Sequence, residues 1–345
     1  MNGKILSFGE ILLRICPDLS NDWVESGSLP FFVGGAELNV ASALALWGLP
    51  SAYLSAMPQN DVTGSILAYL RNKHIEIDNM LLQGDRLGLY YLPKGKDLKH
   101  AGVIYDRANS SFANLQPSDM DWDVIFDGVS WFHFSAICPA ISQDMANICL
   151  DALKEASHRG IFVSLDLNYR SKLWKYGKEP IAVMPELAAY ADLIMGNVWA
   201  AQQMLGTALY PELRESQSSY PRTLLTEQAR ETSVELMSKF EKCSFVANTF
   251  RFDYLEKGIQ YFTTIFAEGQ LLQSDDYVAP EIVDKVGSGD CFMAGLIYGL
   301  YQQIGLHGTL DFATAAAFDK LFIPSDATHS KVADIQKRIE NGQKK

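Results

Sequence analysis

Val283-Asp284-Lys285-Val286-Gly287-Ser288-Gly289-Asp290-Cys291-Phe292, continued by Met293-Ala294-Gly295-Leu296-Ile297-Tyr298-Gly299-Leu300, is the stretch on which the reading of this chain turns. A strand-like approach runs into two glycines around a serine, then an aspartate, then apolar and small residues in a helical run. Gly287 and Gly289 permit backbone geometry that a Cβ hinders, so several N–H groups can converge on one point. That point lies at a helix N-terminus, where unpaired N–H groups and the helix dipole favour an anion. Asp290 stands in the middle of it, and in a pure phosphate cradle its carboxylate would repel the ligand. The pairing makes chemical sense where a phosphoryl group is transferred and the aspartate faces the attacking hydroxyl. Alone, the turn is equally compatible with an ordinary tight turn. It lacks the Gly-Lys-Ser/Thr ending of a Walker P-loop and the Gly-x-Gly-x-x-Gly run of a dinucleotide site.

The remainder of the chain bounds the chemistry. At 345 residues there is material for one large α/β domain or two modest ones, and 48% hydrophobic with 20% charged residues is a globular composition. The formal net charge of −12, without a Lys/Arg-rich stripe, leaves no footprint for nucleic acid. An anionic substrate must therefore be held by a few placed cations. Five cysteines (Cys16, Cys138, Cys149, Cys243, Cys291) without Cys-x-x-Cys spacing fit reduced thiols better than a disulfide frame or zinc site. The chain enters directly into the strand-like run Lys4–Gly9, with no signal peptide, and no apolar stretch suits a bilayer. A cytoplasmic protein without membrane or nucleic-acid partners is expected.

Strand-like runs (Ile5–Phe8, Ala52–Ala56, Val129–Ser135, Ile161–Leu167, Leu193–Met195, Phe245–Asn248) alternate with helical patterns (Leu38–Trp47, Val62–Lys73, Ser142–Ser157, Glu227–Phe240). Such alternation predicts a parallel sheet covered on both faces. Two segments break the rhythm: Ile11–Ile15 with Leu29–Val33, and Leu87–Leu92 with Val103–Asp106, read as short strands of a second, smaller sheet. Thr207–Tyr220 is polar and irregular and reads as a surface excursion.

Three motifs now fall in order. Gly34-Gly35-Ala36-Glu37-Leu38-Asn39 lies early, Asp166-Leu167-Asn168-Tyr169-Arg170 closes a central strand, and the Gly-Ser-Gly-Asp turn comes late. Together they resemble the ribokinase-like (PfkB) carbohydrate kinase family over most of the chain, and within it the branch acting on 2-keto-3-deoxygluconate. The resemblance implies an α/β fold: a doubly wound, mostly parallel sheet with helices on both faces and a small β-sheet lid. It implies a single kinase domain over residues 1–345, with the lid formed by approximately 11–33 and 86–108.

It also implies roles, residue by residue. Asp290 takes the place of the catalytic base, and the N–H groups of Gly287, Ser288 and Gly289 that of the anion hole for the transferring phosphoryl group. Phosphoryl transfer is catalysed mostly by alignment and charge stabilisation, so preorganised donors are what such a site needs. An aspartate of ordinary pKa, ~3.9, is a feeble base for an alcohol but suffices if the proton leaves late. Arg107 and Arg170 stand where the sugar-acid kinases hold the substrate carboxylate, for which a guanidinium fork is well shaped. Gly34, Asn39, Tyr90, Tyr105 and Asp326 match further substrate positions, with Glu10 near the same pocket. Tyr90 and Tyr105 are equally readable as lid residues packing on one another, and Trp174 as core packing rather than support for Arg170. On the nucleotide side Asn197, Thr249 and Arg251 join Gly287 and Gly289. ATP and Mg2+ are the implied cofactors, with no residues assigned to the metal. A sugar acid is the implied small-molecule partner, and the exposed lid edges suggest a homo-oligomer.

Departures from the pattern lie on the nucleotide side. Asn197-Val198-Trp199-Ala200 keeps the family's asparagine but has Ala200 in place of an acid that helps order magnesium and phosphate. Lys285 and Val286 replace common threonines, which weakens the case for a monovalent cation near Asp284. Phe318 adds bulk near the expected adenine position. Three functions therefore stay open: a sugar-acid kinase, a kinase for a neutral ketose such as fructose, and a silent sugar-acid binder.

Overall fold

The computed structural model describes residues 2–17, 27–93, 103–215, 217 and 219–342. Its main sheet runs, from one edge to the other, through Gln270–Gln273, Gly258–Ala267, Phe245–Tyr254, Leu193–Gly196, Phe162–Asp166, Val129–Ser135, Lys4–Phe8 and Ser51–Leu54. The six strands from Phe245–Tyr254 to Ser51–Leu54 are mutually parallel, with Ile5 opposite Ser51 on one side and Trp131 on the other. The pattern of alternating apolar strands and helices is thus realised as a ribokinase-like fold. Successive side chains of a strand point to opposite faces, and both are dry here: Leu6 and Phe8 join one apolar core, Ile5 the other. Helices Gln143–His158, Met184–Ala188 and Val198–Leu205 cover the first face, and Ala36–Leu46, Ser288–Gln302 and Gly305–Lys320 the second.

From Lys4–Phe8 the chain winds outward to Ser51–Leu54, then returns on the other side at Val129–Ser135. The order reverses between Lys4–Phe8 and its neighbour Val129–Ser135. A crevice opens at such a reversal, outside the carboxyl ends of the strands. Glu10, Ser135, Asp166 and Asn197 all follow or close strands at that edge.

A separate four-stranded sheet has the order Phe31–Gly34, Leu12–Ile15, Gly88–Tyr91, Ile104–Asp106. These are the two segments that broke the sequence rhythm; their connections at 18–26 and 94–102 lie outside the described residues. A third, two-stranded sheet pairs Ala56–Met57 with Leu81–Leu82.

Two elements extend beyond the sequence expectation. Phe245–Asn248 continues to Tyr254 and turns into the antiparallel strands Gly258–Ala267, Gln270–Gln273 and Tyr277–Ala279. Gly258–Ala267 is buried along nearly its whole length, so it shows no alternation to mark it. The tight connection at Glu268 and Gly269, both at positive φ, is the two-residue hairpin turn that fits strand twist. Helix Arg222–Lys239 begins five residues before the expected Glu227. Pro221 offers no side-chain cap to announce it, and Arg222 is held instead by Asp276 at 2.5 Å. Among the described residues, no helix is long and apolar enough to cross a membrane.

Candidate active site

The Gly287–Asp290 turn sits at the start of the Ser288–Gln302 helix, with Gly287 as its N-cap at φ 79°. Glycine is required there twice over: the left-handed backbone disfavours a side chain, and a Cβ would collide with the Asp326 carbonyl. A Cβ at Gly289 would meet nothing within 4 Å, so open space faces the turn at that position. Ser288 directs its hydroxyl away, donating to the Ala317 carbonyl at 3.1 Å, so its contribution to an anion hole is its backbone N–H.

Asp290 follows in the first turn and is only 9% exposed. Asn39, on the Ala36–Leu46 helix packed alongside, donates from Nδ2 to Asp290 Oδ2 at 2.7 Å. The sequence reading gave Asn39 to the substrate; the structure gives its amide to the carboxylate beside the turn. Burial pushes the Asp290 carboxyl up to about 8, the nearby Asp166 and Glu37 push the same way, and Asn39 and Arg170 oppose them. The group is thus a much stronger base than an ordinary aspartate, at the expense of being mostly protonated near neutrality.

Asp166 closes its strand and accepts from the Asn168 N–H at 3.0 Å, and burial raises it to about 7. Arg170, half-buried, lies within electrostatic reach of both Asp166 and Asp290 and donates to the Tyr169 carbonyl at 3.2 Å. Glu37 is fully buried, accepts from the Ser135 N–H at 3.2 Å and from the Ser135 hydroxyl, and is raised by desolvation.

Arg107 is buried and committed differently. Its Nε donates to Glu10 Oε2 at 2.7 Å, its Nη2 pairs with the same oxygen, and Ser110 Oγ donates to Glu10 Oε1 at 2.5 Å. Both arginines lie near the crevice, since Arg107 also feels Glu37, but Arg107 arrives there already neutralised.

The small sheet contributes a second charged group. Arg14, on the inward side of Leu12–Ile15, spans Asp284 Oδ2 at 2.7 Å and Asp326 Oδ1 at 2.9 Å, all three side chains fully buried. Tyr90 donates its hydroxyl to Asp326 Oδ2 at 2.7 Å, and its ring lies 6.4 Å from that of Tyr105. Gly34 leaves room for that carboxylate, because a Cβ there would strike it. Asp284 also accepts from the Val286 N–H at 3.1 Å, which ties the approach to the turn. Gly34, Tyr90, Tyr105 and Asp326 therefore form one wall, and Tyr90 also feels Asp290.

The residues that the resemblance gives to the nucleotide make contacts of their own. Asn197 is the N-cap of Val198–Leu205, its Oδ1 accepting from the Ala200 N–H at 2.9 Å. Thr249 Oγ1 donates to the Gly196 carbonyl at 3.3 Å, and Arg251 to the Lys285 carbonyl at 3.3 Å. Asn248 Nδ2 is buried without a partner among the described residues. Phe318 is buried in the core, its ring 5.0 Å from that of Tyr277 and 5.3 Å from that of Phe322. Trp174 packs against the core near Tyr176. Sequence reasoning passed over Arg14, Glu37 and Asp166 as site residues. The signals were an arginine at the inward position of a short apolar strand, and two acids inside motifs quoted for their neighbours.

The model of the pfkB family carbohydrate kinases matches residues 2–318. A 2-dehydro-3-deoxygalactonokinase of Haloferax volcanii is 32% identical over 174 residues, covering 50% of this chain and 54% of that protein, so the match spans about half of that relative. A 2-dehydro-3-deoxygluconokinase of Bacillus subtilis is 24% identical over 323 residues, 93% of this chain and 90% of that one. The crystal structure of a 2-dehydro-3-deoxygluconokinase from Thermotoga maritima superposes with a TM-score of 0.88, at 31% identity and 99% coverage of both chains.

Proposed function

This chain belongs to the pfkB family of carbohydrate kinases and is a phosphotransferase, and from that premise we propose that it phosphorylates the primary hydroxyl of 2-keto-3-deoxygluconate (2-dehydro-3-deoxygluconate) with ATP. The observation that carries the reading is Asp290, buried on the anion-accepting turn with its carboxylate held by Asn39 at 2.7 Å. The sugar oxygen attacks the γ-phosphorus, the bond to the ADP oxygen breaks, and the hydroxyl proton passes to Asp290. The N–H groups of Gly287, Ser288 and Gly289 receive the charge on the phosphoryl oxygens. Three kinases for keto-deoxy sugar acids among the similar proteins, and Arg170 within reach of Asp290, support an acidic acceptor. Gly34, Tyr90 and Tyr105 come from the small sheet itself, which together with Asp326 forms the lid wall over the sugar in this reading.

Asn197, Thr249, Arg251 and the turn are assigned to the nucleotide, and the unpartnered Asn248 amide fits an oxygen-rich ligand beside them. Among the described residues, no group of three or more His, Cys, Asp or Glu could hold a metal alone. In this reading Mg2+ would be carried on the nucleotide phosphates with its own waters, where it would neutralise their charge. A homo-oligomer through the small sheet is part of the same reading, since Phe31 and Ile104 on its two edge strands are 59% and 52% exposed.

One observation favours a neutral ketose instead: Arg107 is already neutralised by Glu10. A substrate panel with Mg-ATP, read as ADP release, separates the two. The sugar-acid reading expects the keto-deoxy acids to exceed fructose and ribose in kcat/KM. It further expects Arg170→Ala to lose at least ~1.5 kcal/mol of transition-state binding for the acid, or more than tenfold. Higher kcat/KM for fructose, with Arg170→Ala unimpaired, would overturn it.

A further inference from the structure

Behind the anion-accepting turn lies a buried ammonium group that the proposed chemistry leaves unused. Lys320 ends the Gly305–Lys320 helix and is 0% exposed. Its Nζ donates to the Ile323 carbonyl at 3.1 Å. A Cβ built on Gly287 would lie 3.3 Å from Lys320 Cε, so the end of the side chain reaches the underside of the turn itself.

Desolvating an ammonium costs several kcal/mol, which needs a reason. The nearest acids are Asp284 and Asp326, both already bridged by Arg14 at 2.7 and 2.9 Å. Two carboxylates against one guanidinium leave one negative charge over; burial lowers the pKa of Lys320, and Asp284 and Asp326 oppose this by favouring its charged form. Yet its hydrogen bond goes to the Ile323 carbonyl, and its Cε lies under the glycine that opens the helix. Charge balance alone would not put it there. A fixed positive charge at a helix N-terminus adds to the partial charge of the first-turn N–H groups. In a water-poor site such a preorganised charge stabilises developing anionic charge without reorganising during the reaction.

We propose that Lys320 is a built-in cation that strengthens the Gly287–Gly289 anion hole during phosphoryl transfer. It is a positioning residue that acts through the turn and touches neither substrate. An ammonium held by a carbonyl at this place does what a small monovalent cation would do, so the intact enzyme needs none from solution. The inference rests on reading the turn as the anion hole.

The test uses wild type, Lys320→Met, Lys320→Ala and Asp290→Asn, with whichever sugar the panel identifies. Turnover of wild type is expected to be equal in sodium, potassium, ammonium and tetramethylammonium chloride. Lys320→Met, which keeps the packing, should lower kcat by about 10- to 100-fold with little change in sugar KM, somewhat less than deleting a direct donor. In Lys320→Ala, ammonium, methylammonium or potassium should restore part of the loss and tetramethylammonium none. Potassium or ammonium activation of wild type would overturn the proposal, and this arm needs no variant to fold. So would a Lys320→Met enzyme with lowered Tm but wild-type kcat, the mark of a merely structural residue. Inactive Asp290→Asn beside an unimpaired Lys320→Met removes this inference alone. An Asp290→Asn enzyme with wild-type turnover removes the reading of the site beneath it.

Discussion

Replacing Asn39 by leucine, a side chain of the same branched shape without the amide, should move the acidic limb of the pH–rate profile upward. The Asn39 amide donates to Asp290 at 2.7 Å in a buried setting and so favours the ionised carboxylate. Charge-assisted hydrogen bonds contribute about 1.5–3 kcal/mol, and 1.36 kcal/mol corresponds to one pH unit, so the limb should rise by roughly 1–2 pH units. In wild type it is expected near 8, the value to which burial pushes Asp290. The base must be ionised to accept a proton, so kcat/KM at pH 7 should fall about 10- to 100-fold in Asn39→Leu. Most of that loss should vanish as the pH approaches about 10.

The assay is kcat/KM by ADP release across this range, since that ratio reports ionisations of the free enzyme. The limb belongs to an interacting pair, because Asp166 is itself raised to about 7 and pushes Asp290 upward. Asp166→Asn removes that push and should therefore move the limb down, opposite to Asn39→Leu. Superimposable profiles for wild type and Asn39→Leu, or displacement of both variants in the same direction, would refute the assignment of the limb to Asp290.

Three further outcomes follow from the same geometry. Gly287→Ala should reduce kcat by at least tenfold and lower stability by about 1–3 kcal/mol in denaturant titration, because φ is 79° and the new Cβ meets the Asp326 carbonyl. Arg14→Met should destabilise by about 3–5 kcal/mol, seen as a lowered Tm, since it strands two buried carboxylates. Asp290→Asn should be more stable than wild type at pH 8, by an amount on the order of 5 kcal/mol. Its carboxyl goes from the usual 3.8 to about 8 on folding, so the native state holds the extra proton and wild-type stability falls as pH rises through that window. The two Tm curves should converge towards pH 4.

The parts of this molecule that sequence reveals are those with a local cause. Ser142 caps its helix by accepting from Met145 N–H at 3.1 Å, and the apolar spacing of Met145, Ile148, Cys149 and Ala152 marks the face it buries. The glycine pair at 287 and 289 announces a turn before a helix, and the short strands of the small sheet stand out against the βα rhythm. Contacts between distant residues leave no such trace. Asn39 meets Asp290 across 251 positions and Tyr90 meets Asp326 across 236. Nothing periodic within ten residues of Arg14 indicates Asp284 as its partner. Gly258–Ala267 was hidden for another reason: burial on both faces removes the alternation by which a strand is recognised.

For the sugar acid and nucleotide proposed as substrates, both anionic, this acidic protein has an electrostatic problem at its own site. Glu37, Asp166 and Asp290 crowd the carboxyl edge of the sheet, with Glu10 beside them and Asp284 and Asp326 behind the turn. Ionised together, they would repel both the sugar acid and the nucleotide. The fold resolves this in two ways. Glu10 is matched by Arg107, and the pair Asp284 and Asp326 by Arg14 with Lys320 nearby. Burial raises Glu37, Asp166 and Asp290, so these acids carry less negative charge than their number suggests. Arg170 and the helix N-terminus at Gly287, with Lys320 behind it, can then attract an anion. In the proposed mechanism the raised Asp290 then serves two ends at once: its protonated form would admit the phosphate, and its ionised form, once the hydroxyl is in place, would be basic enough to receive the proton that phosphoryl transfer releases.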